Sequence, residues 1–232
     1  MLYIFLIVSL LLIIIYLIVN NFQKNNFQKN NFQNNNFQKN NFQNNNFQNN
    51  DYRLGDFILI PVPHKKQEHL RTIREKYSNS IAGLYYKKTN KSGDIDTLID
   101  VLTENNMLKK NNNITMHIRL GDVLCENRRY DKKPSPLDKI ITFIKTKFKN
   151  EQIHIYTFLH FGGGGHDCRE KSLKYINELK KLRNVSLHTA GNPDKDFLEM
   201  INSKIHIAGT GGYSNLINMV RKKLNLETLY IS

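Results

Sequence analysis

The chain has no tryptophan, only two cysteines and only five prolines in 232 residues. Two cysteines, Cys125 and Cys168, cannot build a disulfide framework, and their spacing fits no zinc pattern. A single bridge between them is one option the sequence leaves open, and it says little about redox compartment. A different scarcity marks the N-terminus. Met1 to Val19 contains no charge, no proline and no glycine, and is dominated by Leu, Ile and Val. At ~1.5 Å per residue it reaches about 28 Å, roughly the hydrocarbon thickness of a bilayer. The basic flank and small-residue cleavage site of a cleaved signal peptide are also missing. Residues 1–19 are therefore expected to be an uncleaved transmembrane anchor, and nothing after them is apolar enough for a second span.

Acidic residues are outnumbered: the formal charge is +14. Lys24, Lys29 and Lys39 contribute three of these charges, and the other +11 fall on residues 51–232. A basic domain of this size suits an acidic partner: nucleic acid, an anionic membrane surface or a phosphorylated small molecule. Nucleic acid is disfavoured, because aromatic residues are not interleaved with the basic ones and no recognition-module signature is present.

Residues 21–50 are six copies of the unit NFQ[KN]N. A pentapeptide with one Phe cannot bury a hydrophobic face, so a solenoid is excluded. Its Asn and Gln content predicts a disordered tether over residues 20–50. As a coil it would span about 30 Å root-mean-square. Repeat expansion with no role beyond spacing accounts for it.

The globular part begins near Asp51. Phe57 to Val62 reads as a short strand stopped by Pro61, Glu68–Tyr77 and Asp94–Met107 as helices, and 51–113 as a small N-terminal α/β segment. From residue 114 the pattern becomes regular. Strands are expected over 114–119, 152–161, 185–189, 204–208 and 227–231. Helices are expected over 137–148, 169–182, 194–202 and 214–224. This alternation predicts a Rossmann-like α/β domain with a parallel sheet over residues 114–232, helices covering both faces.

Ligands of such sheets sit beyond the carboxyl ends of the strands, near the point where strand order reverses. Three segments leave strands there: His117-Ile118-Arg119-Leu120-Gly121-Asp122, Gly162 to Asp167, and Gly209-Thr210-Gly211-Gly212-Tyr213-Ser214. Arg119 offers a guanidinium fork for phosphate oxygens. Gly163, Gly164, Gly211 and Gly212 would let backbone N–H groups approach an anion. Thr210, Ser214 and the helix starting near Ser214 add hydroxyls and a positive dipole end. Taken singly, each has an ordinary structural explanation: His117 as a buried core histidine, Gly164-Gly165 as a plain loop. Together they suit a diphosphate.

His117 to Asp122 resembles the H-x-R-R-x-D motif of the GDP-fucose-dependent fucosyltransferases, closest to the α-1,2 branch. Asp196-Phe197-Leu198-Glu199-Met200, Ile207-Ala208 and Gly211-Gly212-Tyr213-Ser214 resemble the family's D-x-x-x-M segment and the strand ending I-A-N-S-S-F-S. The resemblance covers about residues 114–225. It implies a GT-B-type, inverting, metal-independent glycosyltransferase, with GDP-fucose as donor substrate and no other cofactor. Arg119 would hold the donor β-phosphate, His117 and Asp122 would shape the nucleotide pocket, and Thr210 and Ser214 would bind phosphate. Asp196 and Tyr213 would belong to the same donor site. The acceptor would be a glycan or protein hydroxyl. The chain departs from the pattern at Leu120, where the second arginine stands, and at Gly211 and Gly212, where serines stand. Residues 52–113 are too few for a second Rossmann-like domain, and the only general-base candidate, by residue type alone, is His64.

Two alternatives stand beside the enzyme: a non-catalytic nucleotide-sugar or glycan-binding relative, and a structural membrane protein whose tether self-associates. The layout of anchor, stem and domain resembles lumenal Golgi-type transferases. Asn90-Lys91-Ser92, Asn113-Ile114-Thr115 and Asn184-Val185-Ser186 are glycosylation sequons compatible with that side. Against it, Lys24 and Lys29 follow the span closely, and positive residues favour the cytosol. The lumenal side is the expectation.

Overall fold

Alternation decides the sheet. Ile114, Met116, Ile153, Ile155 and Ile207 alternate along their strands with Thr115, His117, His154, Tyr156 and His206. Successive side chains of a strand point to opposite faces, so one face is aliphatic and the other is polar and aromatic. In the computed structural model, which describes residues 54–59, 67–125, 135–160, 166–189 and 191–231, these strands pair as the pattern requires. In chain order the elements are α1 (Leu54–Leu59), α2 (Gln67–Lys76), α3 (Ile81–Lys88), α4 (Ile95–Glu104), β1 (Ile114–His117), β2 (Leu120–Gly121), α5 (Leu137–Lys147), β3 (Ile153–Tyr156) and β4 (Leu159–His160). They continue as α6 (His166–Lys180), β5 (Val185–His188), α7 (Pro193–Asn202), β6 (Ile205–Ala208), α8 (Gly212–Lys223) and β7 (Thr228–Tyr230). A short 3-10 turn covers Asp122–Leu124.

The main sheet has five strands in the order β5-β3-β1-β6-β7, and every pairing is parallel. Strand order therefore runs outward from β1 in one direction and then from β6 in the other. The fork between β1 and β6 is the topological switch point. Right-handed crossovers send α5 and α6 to one face and α7 and α8 to the other. The polar face meets α7 and α8, since Thr115 on that face contacts the Ser203 hydroxyl just after α7 and also the His206 ring beside it. The Rossmann-like α/β expectation holds.

Two expectations are corrected. The strand expected over 57–62 is helical at 57–59, as the end of α1. Leu54 and Ile58, four residues apart, are both buried in the main core, so the helix satisfies the apolar side chains that the strand assignment had counted. The strand expected over 152–161 breaks at Thr157-Phe158. Its second part, β4, leaves the main sheet and pairs with β2 in a two-stranded sheet.

Helix α3 was not foreseen. Ser80 caps its N-terminus, accepting from the Gly83 amide at 3.1 Å, and Tyr85 and Tyr86 are fully buried. Helices α1 to α4 share one core with α7, α8 and Tyr156. Among the described residues no strand precedes Ile114. No described helix is long and apolar enough to cross a membrane. The anchor expected at 1–19 and the tether at 20–50 lie outside the described residues.

Candidate functional site at the sheet switch point

Six of the nominated residues, His117, Arg119, Asp122, Thr210, Gly211 and Ser214, meet where β1 and β6 diverge. His117 ends β1 and is buried, while Ser214 sits in the first turn of α8. The His117 Nδ1 and Ser214 Oγ are 2.5 Å apart. Ser214 Oγ also lies 3.0 Å from the Thr210 carbonyl oxygen. The hydroxyl thus bridges the imidazole and the carbonyl, and the His117 tautomer sets which of the two contacts it donates to. Burial, aided by the Arg119 charge, lowers the imidazole pKa to about 4, so the ring is neutral near pH 7. This pair clamps β1 to α8.

Arg119 leaves the end of β1 and turns toward α8. Its Nη2 lies 3.4 and 3.3 Å from the two carboxylate oxygens of Asp122. The Asp122 side chain is 5% exposed and that of Arg119 33% exposed, so the buried carboxylate steers a guanidinium that still reaches solvent. Gly211 is the reason the arginine fits. Its φ is +95°, and a Cβ there would lie 3.1 Å from Arg119 Cδ. Any side chain would be strained and would press on the arginine. Gly209 is held more tightly still, since a Cβ would fall 2.0 Å from the His117 carbonyl oxygen.

Among the described residues no side chain caps the first turn of α8. Thr210 Oγ1, just before it, is buried and has no hydrogen-bond partner among the described residues. Thr210, Gly209, His117, Arg119 and Ser135 are among the residues lining a small cleft of about 10 Å³. Unsatisfied buried hydroxyls are uncommon and call for an explanation. A bound anion or water reached by Arg119 would supply one.

Gly212, Tyr213 and Asp196 complete the nominated residues that are described. Gly212 begins α8, and Tyr213 follows it. The Tyr213 hydroxyl donates to the Pro193 carbonyl at 2.5 Å, and its ring meets His117 edge-on at 5.2 Å. Asp196 lies on α7, its carboxylate so close to Gly191 that a Cβ there would come within 2.2 Å. Burial and then Glu199 raise its pKa to about 6. Burial, then Glu199 and Asp196, raise the Tyr156 pKa to about 12, which places these groups in one electrostatic neighbourhood. Gly163, Gly164 and His64 lie outside the described residues. Among the described residues no cluster of His, Cys, Asp or Glu could hold a metal ion.

Sequence reasoning left one contributor open and missed another. Cys125 and Cys168 are bonded, with Cα atoms 4.6 Å apart. The bridge ties the turn after Asp122 to the start of α6. Ser172 on α6 reinforces it by accepting from the Gly121 amide at 2.9 Å. The second is the pair Tyr156 and His188, stacked with centroids 4.5 Å apart at the carboxyl ends of β3 and β5. The regular strand register placed them opposite each other, but two aromatic residues in separate strands carry no motif.

What the fold and site define is a Rossmann-like α/β domain with an arginine presented at its switch point. No protein-family model matches the chain, and no curated protein matches it.

Proposed function

We propose that the domain binds a nucleoside-diphosphate sugar at the β1/β6 fork and transfers the sugar, fucose from GDP-fucose, to a glycan or protein hydroxyl. The carrying observation is Arg119: a partly exposed guanidinium steered by buried Asp122 over the backbone of Gly211, beside an uncapped helix start. Negative charge grows on the departing diphosphate in such a transfer. A cation already in place lowers that barrier without reorganising. Thr210 Oγ1 is a phosphate donor in this reading, and the first amides of α8 add their partial positive charge. His117 and Ser214 act indirectly, by fixing the fork, and Asp122 by aiming the arginine.

A specific observation favours the runner-up, a relative that binds the donor without transferring it. The described residues before β1 are helices packed on the donor-side core, with no strand among them to begin an acceptor-side sheet. Donor hydrolysis or transfer across a broad acceptor panel decides between the two. For the membrane side, the Cys125–Cys168 bridge supports a lumenal or equivalent oxidising location, where disulfides persist.

Thermal shift of the detergent-solubilised full chain against GDP-, UDP- and dTDP-sugars tests the donor class. Ligands that bind only the folded state raise its melting temperature. GDP-fucose is expected to give the largest rise. A rise with none of the three sugar classes would remove the proposal.

A further inference from the structure

The three sequons are equivalent as sequence but not as structure. Asn184 is half-buried, and its Nδ2 donates to the carbonyls of Phe148 at 2.8 Å and Glu151 at 3.1 Å. Those bonds hold the turn before β3 against the start of β5. A glycosylated amide nitrogen keeps one hydrogen, so it cannot make both. Asn113 immediately precedes the central strand β1, and its Nδ2 points to Glu199 Oε2 at 3.4 Å. The hydroxyl of that sequon, Thr115, is fully buried and bonded to Ser203 and His206. A glycan at Asn184 would cost one of these two bonds, and a glycan at Asn113 would sit beside a sequon whose Thr115 hydroxyl is enclosed in the sheet.

Asn90 differs in its exposure and in the group its amide uses. It is exposed, in the short turn between α3 and α4. Its Oδ1 accepts from Arg74 Nη2, while Arg74 Nε donates to the Tyr86 carbonyl at 2.6 Å. The guanidinium thus holds the amide oxygen toward the protein, and Nδ2 makes no hydrogen bond among the described residues. N-glycosylation replaces a hydrogen on Nδ2 and leaves the carbonyl oxygen intact. The Arg74 contact therefore survives modification and aims the new bond outward. Ser92, the third residue of the sequon, is partly buried, with its hydroxyl 3.3 Å from the Tyr86 hydroxyl.

We infer that Asn90 is an N-glycosylation site of this protein, and that Asn113 and Asn184 stay unmodified in the folded domain. The inference rests on the lumenal orientation and not on donor binding. In that reaction the sugar C1–Nδ2 bond forms as the C1–O bond to a lipid-linked diphosphate breaks, the diphosphate departs on its lipid, and the proton lost from Nδ2 passes to the transferring enzyme.

The test is to express the full chain in cells with an oligosaccharyltransferase and treat it with peptide N-glycosidase. One mobility step is expected. Asn90→Gln and Ser92→Ala should each abolish it, whereas Ser92→Thr, Asn113→Gln and Asn184→Gln should retain it. Mass spectrometry should find the enzymatic Asn-to-Asp conversion at residue 90. No step in the full chain, or a step that survives Asn90→Gln, would overturn the inference. GDP binding by the same preparation is measured separately, so a wrong membrane side and a wrong donor assignment give different results.

Discussion

Two arginines border the polar face of the sheet, and they are used in opposite ways. Arg221, on α8, is fully buried. Its Nη1 donates to the carbonyls of Met200, Ile201 and Ser203 and to the Ser203 hydroxyl at 2.8–3.2 Å. Its Nε donates to the Thr228 hydroxyl at 3.2 Å, and its Nη2 to the Glu227 carbonyl. It thereby caps the C-terminal end of α7, where a cation is favoured, and pins α8 to β7. Arg119 stands at the other end of the same face, with the Asp122 carboxylate beside it and its side chain one-third exposed. A side chain committed to backbone carbonyls serves the fold, while one that still reaches solvent beside a buried carboxylate is the one the proposed function assigns to a ligand. The contrast separates architecture from function within a single β–α layer.

Arg221→Ala attacks the architectural side and should have the largest effect. It removes a buried side chain and leaves several carbonyls without donors, a loss on the order of 4 kcal/mol. Urea unfolding should show it, while the surviving folded fraction keeps its affinity for GDP. Breaking the Cys125–Cys168 bridge comes next. It closes a loop of 43-residue separation, for which chain entropy alone gives roughly 4 kcal/mol, with about 2–4 usual in practice. Cys125→Ser with Cys168→Ser should lower the melting temperature and, by releasing the turn after Asp122, weaken donor binding as well. Loss of stability with unchanged binding would show that the bridge does not position Arg119.

Acid should act through the buried imidazoles. Burial holds His117 near a pKa of about 4 and His206 well below its ordinary value. Both bind fewer protons folded than unfolded below pH 6.5. Their contribution is therefore complete above pH 6.5 and is lost as pH falls toward 4. Asp196 runs the other way and more weakly. Its raised pKa of about 6 means that its ionisation costs stability as pH rises from about 4 to 6. Asp196→Asn should stabilise the fold above pH 6 by roughly 1 kcal/mol, allowing for its partial exposure. Chemical denaturation at pH 5 and pH 8 measures both effects.

The sheet was legible because its signal is local. Aliphatic and polar residues alternate through Ile114–His117 and Ile153–Tyr156, and helical spacing follows each strand. The site was legible to the extent that glycine and arginine fall directly after strand ends. Other features depended on distant partners. Phe57-Ile58-Leu59 has strand propensity, yet Gly55 packs its backbone against Tyr213, with a built Cβ 2.7 Å from the Tyr213 Cα, and burial of Leu54 and Ile58 overrides propensity. Nothing near Ser214 announces that its hydroxyl faces His117 rather than a ligand, because that contact joins residues 97 apart. Nor does spacing reveal that Cys125 and Cys168 meet, since the turn and the helix that carry them converge only in the folded domain.

Isothermal calorimetry of GDP against the full chain and its Arg119→Ala variant tests the central claim most directly. The account predicts saturable binding to the parent chain and a loss of at least about 100-fold in the variant, the scale of one charge-assisted phosphate contact. The variant's unfolding transition is measured alongside, since removing the guanidinium takes a cation from the 5%-exposed Asp122 carboxylate and is expected to lower the midpoint while leaving a folded population to titrate. No binding heat from the parent, or equal affinity in the folded variant, would contradict it.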